Sequence, residues 1–308
     1  MSSILATPYE ALPGALVAEL TDAGLDARAV HAAIAAALAE DLPPDGTGVD
    51  VTSEATLTDI EVTGEFGARE DGVVAGLAVA ALTFAYVLGT DVKVTDRIAD
   101  GTRVTAGDVV MRVTGPVKGL LIAERTALNF ACHLSGIATA TAAWVTAFEG
   151  TGARVLDTRK TLPGHRALQK YAVRCGGGVN HRFSLSDMAL VKDNHVVAAG
   201  GVLPAYRAVK ARYPDLPVEV EVTDLDQLRI LLDAGCERIL LDNMSTAMMT
   251  EAVALRDSRG AGGRATLEAS GGLTFERARE VALTGVDFIS VGALTHSVIV
   301  FDLGMDLS

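Results

Sequence analysis

"PVEVEVTDLDQLRILLDAGCERILLDN", residues 217–243, packs a short strand, a helix-length amphipathic stretch and a second short strand into one segment. In VEVEV the valines 218, 220 and 222 share one face, and Glu219 and Glu221 share the other. That is the period of two of a β-strand. The next stretch reads as a helix near 224–234, with Thr223 at the N-cap position, and RILLD reads as the following strand. The same rhythm extends both ways. "ARVLDT", "MALVKD", "ATLEA" and "DFISVG" read as strands, and helices are expected near 166–175, 202–213, 246–257 and 274–284. Ser245 and Thr274 stand at N-cap positions. Such alternation predicts parallel strands joined by crossover helices. Six or so units suggest a βα barrel shorter than the usual eight. A doubly wound open sheet is the alternative.

The first part of the chain has a different texture. A helix over 27–40 runs into a polar loop, "DLPPDGTGVDVTSEAT", and short strands follow with turn signals at Asp71-Gly72, Asp100-Gly101 and Gly107-Asp108. A helix near 77–88 interrupts them, and this α+β unit ends near Lys118. Thr126 to Phe148 contains no Asp, Glu, Lys or Arg and is long enough to span a bilayer. Its Asn129, His133, Ser135, Gly136 and threonines favour a helix buried in protein instead.

The 308 residues are 49% hydrophobic, so the chain can bury a large core. It holds 26 Lys+Arg against 39 Asp+Glu, net −13, which argues against a nucleic-acid or membrane-surface binder. Cys132, Cys175 and Cys236 are far apart and odd in number, and the N-terminal stretch lacks a signal-peptide pattern. Both features fit a reducing cytoplasm. Positive charge is concentrated in one window. Arg154, Arg159, Lys160, Arg166, Lys170, Arg174, Arg182 and Lys192 face only Asp157 and Asp187 there, so the window is +6 and the rest of the chain −19. A compact, strongly anionic ligand is the natural partner.

In a βα barrel the active site lies at the C-terminal ends of the strands. The expected strands end at Thr158-Arg159-Lys160, Lys192-Asp193, Glu221, Asp242, Ser270-Gly271-Gly272 and Gly292. Each delivers a charged group or a glycine to one rim. Glutamates 219 and 221 facing the lumen are costly unless they meet cations or metal. "EASGGL" and "ISVGAL" put small residues past two adjacent strand ends, where backbone amides form an anion nest. Arg159, Arg182 and Lys192 suit carboxylates, while Glu221 and Asp242 offer hard oxygens to Mg²⁺ or to sugar hydroxyls. Lys160 or Lys192 as a Schiff-base former stays open. His133, His165, His181, His195 and His296 read first as ordinary hydrogen-bonding groups, with His181 and His296 in or near the site. The set suits a phosphorylated sugar plus an acidic co-substrate.

"TRKTLPGHRALQKYAVRCGGGVNHRFSLSDMALVKDNH" resembles the signature of the quinolinate phosphoribosyltransferase family, and so do "ERTALNFACHLSGIAT", "EVEV", "LLDNM", "EASGGL" and "TGVDFISVGALTHS". The resemblance covers nearly the whole chain. It implies an α/β fold: an N-terminal α/β sandwich domain over 1–130, a tail at 297–308 packing back on it, and an incomplete, seven-unit βα barrel over 131–296. It implies transfer of phosphoribosyl from phosphoribosyl pyrophosphate to quinolinate with decarboxylation, a Mg²⁺-dependent step of NAD synthesis. Thr158, Arg159, His181, Arg182 and Lys192 would then surround quinolinate. Lys160, Glu221 and Asp242 would hold ribose, pyrophosphate and metal, with Lys160, Lys192, Glu221 and Asp242 at the chemistry. Ser270, Gly271, Gly292, Ala293 and His296 would take the 5′-phosphate. The family works as a homodimer with shared active sites, higher oligomers being left open, and Arg125 would be donated across that interface. Nicotinate phosphoribosyltransferase is the nearest rival, and a non-catalytic anion-binding module is the rival of another class.

Overall fold

The computed structural model describes residues 6–43, 46, 48–259 and 265–308. Pro44, Asp45 and Thr47, part of the polar loop noted above, lie outside the described residues. In chain order the first elements are α1 (Gly14–Asp22), α2 (Ala27–Asp41), α3 (Val51–Thr56), β1 (Glu61–Ala68), β2 (Gly72–Val73), α4 (Leu77–Leu88), β3 (Lys93–Thr95), β4 (Arg103–Val104) and β5 (Val109–Pro116). Next come α5 (Val117–Ala147), β6 (Arg154–Leu156), α6 (Arg166–Cys175), β7 (Ala189–Val191), α7 (Asp193–Ala199), α8 (Val202–Arg212) and β8 (Val218–Val222). The last are α9 (Leu225–Asp233), β9 (Arg238–Asp242), α10 (Thr246–Asp257), β10 (Thr266–Ser270), α11 (Ala278–Ala282), β11 (Phe288–Ser290), α12 (Ala293–His296) and β12 (Leu303–Leu307). They form two compact units: residues 1–140 with 167–177 and 298–308, and residues 141–166 with 178–297.

The first unit is built on an antiparallel sheet in the order β12-β1-β5-β3. The C-terminal strand pairs with β1 from Gly64↔Leu307 to Ala68↔Leu303. Helix α4 is apolar on all sides, and only Tyr86 and Leu88 escape full burial, as a core helix requires. Its Phe84 meets Phe66 of β1 edge to face at 5.7 Å. The residue at its N-cap is Gly76, at φ 83°, where a Cβ would press into Leu134. Gly76 has no side chain to cap with, so Asp100 caps from a distance, accepting from the amides of Gly76 (2.8 Å) and Leu77 (3.0 Å).

The charge-free stretch of α5 is explained by what its hydroxyls touch. Ser135 Oγ accepts from the Ala75 amide and Thr139 Oγ1 from the Val73 amide, each at 2.9 Å, and the His133 ring meets the Gln169 amide at 2.9 Å. Its polar residues therefore serve protein backbone. Among the described residues no helix is long and apolar enough to cross a membrane.

The second unit is a six-stranded parallel sheet in the order β6-β11-β10-β9-β8-β7. Each strand from β7 to β11 lies beside its successor, and β6 returns to pair with β11, which is the strand order of a barrel. The seventh place is reduced to one residue: Val179 makes a parallel bridge with Leu156, on the edge of β6 away from β11. On the face of the sheet away from the strand-end cavity, Val220, Ile239, Leu267 and Ile289 are fully buried.

Local readings held with two exceptions. Ser245 caps α10, its Oγ accepting from the Met248 amide. The cap of α9 is Asp224, which accepts from Gln227, and Thr223 instead engages the Gln227 side chain. Helix α9 begins one residue later than expected, which brings the carboxylate of Asp224 to the N3 amide. Thr274 sits at the N-cap place of a short 3₁₀ turn, Phe275–Arg277, without a side-chain cap bond. Helix α7 was not anticipated, because seven residues are too few to show a period.

Candidate active site

A cavity of about 300 Å³ opens in the second unit at the C-terminal ends of its strands. Its walls carry Thr158, Arg159 and Lys160 after β6, His181 and Arg182 from the segment before β7, and Lys192 after β7. They also carry Leu190, Leu240, Glu268, Ser270 and Ser290. Parallel strands ending at one level bring groups from distant parts of the chain to a common rim.

The basic window divides here. Arg159, Lys160, Arg182 and Lys192 reach the cavity. Arg166 is structural, its Nε donating to Thr161 Oγ1 and its Nη1 to the Phe183 carbonyl, each at 3.1 Å. Arg174 donates to the Ala23 carbonyl in the first unit. Arg182 Nη1 donates to the Met188 carbonyl at 3.2 Å. The turn between them is held by Asp187, which accepts from the Phe183 and Ser184 amides.

Two buried atoms in the cation set lack a hydrogen-bond partner: Arg159 Nε and Arg182 Nε. Such groups are costly unless a ligand satisfies them. Burial and then the charge of Arg159 push the Arg182 guanidinium below its ordinary pKa. Two guanidiniums held together against both desolvation and mutual repulsion form a receptor for a dianion.

Under the cations lies a buried cluster. His181 Nε2 lies 2.7 Å from Glu219 Oε2 and 3.3 Å from Glu268 Oε2. Glu219 Oε1 lies 3.9 Å from Arg238 Nε. The backbone of His181 is fixed by Asp157, fully buried, whose Oδ1 accepts the His181 amide at 2.9 Å and whose other oxygen accepts from Asn180. Burial alone would lower the His181 pKa, but the hydrogen bonds and charges of Glu219 and Glu268 more than offset it and raise it to about 9. The inward glutamate of β8 thus meets a histidine and an arginine. One nitrogen and two oxygens of His181, Glu219 and Glu268 lie within 4.8 Å of one another, a set that could ligate a metal. A dry site containing a histidine suits Mg²⁺ poorly, since that ion keeps several waters and prefers oxygen.

Glu221 and Asp242 are not on the cavity wall. They end β8 and β9, both partly exposed, and Asn243 Nδ2 donates to Asp242 Oδ2 at 2.9 Å. Burial, then the charge of Asp242, raises the Glu221 carboxyl above its usual range. Two mutually repelling carboxylates open to water fit a hydrated hard cation. Gly271 and Gly272 follow β10 at φ 95° and 57°, and a Cβ on Gly271 would run into the Asn243 amide group. A Cβ on Gly292 would fall 3.1 Å from both Lys160 Cδ and His296 Cδ2. Lys160 and His296 therefore flank the turn that carries Gly292 and Ala293, and Thr295 Oγ1 donates to the Lys160 carbonyl at 2.8 Å. Lys160 belongs to both places.

Arg125 is an exposed residue of α5 in the first unit, lining a cavity of about 320 Å³ with Asp41, Leu42, Asp50, Leu121 and Ile122. His195 is spent on structure, its Nδ1 accepting from the Lys192 amide at 3.0 Å. Sequence reasoning overlooked Asp157, Glu268 and Ser290. Glu268 carried a signal: a lone charge between Leu267 and Ala269 inside a strand, the same pattern that drew attention to Glu219.

Known proteins bear on this arrangement. A family profile described as the C-terminal domain of quinolinate phosphoribosyl transferase matches residues 137–306, and its N-terminal counterpart matches residues 50–135. The chain is 51% identical to a nicotinate-nucleotide pyrophosphorylase (carboxylating) from Mycobacterium leprae, over 94% of this chain and 100% of that protein. It is 40% identical to a mitochondrial quinolinate phosphoribosyltransferase (decarboxylating) of Nicotiana tabacum, over 88% of this chain and 80% of the relative. The solved nicotinate-nucleotide pyrophosphorylase of Francisella tularensis superimposes with a TM-score of 0.85 at 37% identity, covering 91% of this chain and 96% of that one. On both halves of its sequence and on its fold, the chain belongs to the quinolinate phosphoribosyltransferase family.

Proposed function

We infer that the protein transfers the phosphoribosyl group of phosphoribosyl pyrophosphate to quinolinate with loss of one carboxyl, yielding nicotinate mononucleotide, pyrophosphate and CO₂ for NAD synthesis. The observation that carries this reading is the pair Arg159 and Arg182, each with an unsatisfied buried Nε, in a cavity that also holds Lys160 and Lys192. Quinolinate has two adjacent carboxylates to match them. Nicotinate has one and would leave a guanidinium unpaired in a desolvated site.

Quinolinate binds against Thr158, Arg159, Arg182 and Lys192. The phosphoribosyl donor lies along Lys160, with its 5′-phosphate at the Ser270, Gly271, Gly292 and Ala293 backbone and His296. Glu221 and Asp242 would hold Mg²⁺, which would supply positive charge to offset that of the departing pyrophosphate. Transfer at the anomeric carbon needs little covalent help from the protein, so positioning and electrostatics carry the rate. Arg125 serves a second copy of the chain, completing its quinolinate site in a homodimer. Three free cysteines suit a reducing, cytoplasmic setting.

The test is product formation from phosphoribosyl pyrophosphate with quinolinate against nicotinate, with and without a chelator. Nicotinate mononucleotide should form from quinolinate alone, stop with chelation and resume with Mg²⁺. Turnover of nicotinate would identify the rival enzyme, and binding without turnover would identify an anion-binding module.

A further inference from the structure

The cavity wall contains one acid among its cations, Glu268. It is 2% exposed, and its Oε2 has no hydrogen-bond partner. It stands in register with Glu221 and Leu240 across β8, β9 and β10, one layer nearer the strand ends than Glu219. Facing it are Glu219 from β8, His181 from the segment before β7 and the Ser290 hydroxyl from β11, which hydrogen-bonds the carboxyl. The cations Arg159, Lys160, Arg182 and Lys192 line the same cavity.

The hydrogen bonds assign the protons. The Arg182 amide donates to His181 Nδ1 at 2.8 Å, so that nitrogen carries a lone pair. The ring then carries its proton on Nε2 and donates it to Glu219. The further proton that the raised His181 pKa of about 9 reports cannot sit on the occupied Nδ1, so the cluster carries it on Glu268. Glu268 Oε2, 3.3 Å from the same nitrogen, makes the longer of the ring's two carboxylate contacts. As a carboxylate it would be a lone buried charge beside Glu219 and beside a dianionic substrate. As a neutral carboxyl it is tolerated. Burial and then the charge of Glu219 raise its pKa in that sense.

The reaction needs such a group. Once the ring nitrogen is ribosylated, the bond from ring carbon 2 to its carboxylate breaks. The electron pair left on carbon 2 is taken up by a proton as CO₂ departs, so the proton donor acts in the step that releases CO₂. The guanidiniums hold theirs too tightly to supply it.

We propose that Glu268 is a catalytic acid of this enzyme, giving its carboxyl proton to the ring carbon that loses CO₂ and regaining one from solvent as product leaves. Glu219 and His181 are positioning residues: their ion pair fixes the ring so that it cannot take the proton. The proposal rests on the quinolinate reading above.

Rapid-quench single turnovers with quinolinate labelled in its 2-carboxyl, following pyrophosphate and CO₂ together, provide the test. In Glu268→Gln, CO₂ release should slow by about 100-fold or more relative to pyrophosphate release, the usual scale of general acid catalysis, and the ribosylated dicarboxylate should accumulate. Glu268→Asp, which keeps an acid on a shorter stem, should fall between Gln and wild type. Pyrophosphate and CO₂ staying in step, at wild-type rate or equally slowed, would overturn the proposal. Should Glu268→Gln fail to bind quinolinate, the wild-type pH profile decides: CO₂ release must fall at alkaline pH while pyrophosphate release does not, and parallel profiles refute the assignment. Wild-type protein that makes no nicotinate mononucleotide from quinolinate would overturn the family reading instead.

Discussion

Asp100 in the first unit and Arg182 in the second are both charged groups with buried polar atoms, and their surroundings differ in kind. Asp100 accepts from two amides at the start of α4 and from Tyr171 Oη at 2.7 Å. Arg182 keeps a buried Nε with no partner and sits beside the like charge of Arg159. The first arrangement is complete without a ligand and belongs to folding. The second is incomplete, and its incompleteness is what a substrate uses. Unsatisfied buried groups that also line a cavity, as Arg159 and Arg182 do and Arg238 and Arg256 do not, mark a place for a ligand.

Four measurements would break or sharpen that contrast. The largest effect is expected at Asp242→Asn, where weakening the cation site should cut turnover of phosphoribosyl pyrophosphate by about 100- to 1000-fold, the scale of one lost electrostatic group. Calorimetry should show quinolinate binding nearly unchanged, and a fall in quinolinate affinity alone would refute the role. Arg182→Lys keeps the charge and loses the fork. It should lower kcat/KM for quinolinate by about 10- to 100-fold, equivalent to one charged hydrogen bond. Because the Nε of Arg182 is unsatisfied and its one side-chain bond, to the Met188 carbonyl, is within reach of a lysine, the variant should unfold near the wild-type urea midpoint; a strongly destabilised one would place Arg182 with the scaffold.

Exchange between inactive Arg125→Ala and inactive Lys192→Ala subunits comes third. With random isologous pairing, activity should return toward about a quarter of wild type. Verified exchange without recovery would remove Arg125 from any shared site. The smallest effect is expected at Asp100→Asn, a loss of about 1–3 kcal/mol of stability with kcat/KM intact. Burial outweighs the hydrogen bonds and raises the Asp100 carboxyl above its ordinary value. A raised folded-state pKa contributes stability that is full below the unfolded value and is lost as pH rises through the folded one. Urea midpoints of wild type should carry this decline above about pH 4, the ordinary aspartate range. The Asn variant should lack it, and equal slopes would show that Asp100 does not titrate in this way.

How far the sequence could be read depended on the distance over which each feature is encoded. The six parallel strands and most helices were legible because a period of two or 3.6 is written in neighbouring residues. The rim groups were legible because strand ends follow from strand positions. Helix α7 was not, being too short to repeat, and neither was the choice of Asp224 over Thr223, which turns on where a helix begins by one residue. The sequence picked Arg159, Lys160, Arg182 and Lys192 out of the basic window, but what occupies Arg166 instead, Thr161 and the Phe183 carbonyl, is visible only in the fold.

By itself, then, the sequence determined the alternation, the family and the cations that line the cavity, since these depend on local pattern and on motifs with fixed spacing. Only the tertiary structure decided which charges are satisfied. His181, Glu219 and Glu268 come from three separate segments, and the amide of Arg182 leaves only Nε2 of the ring to face the two carboxylates. No pattern along the chain encodes that contact, because it exists only where β8 and β10 bring two carboxylates to one imidazole nitrogen.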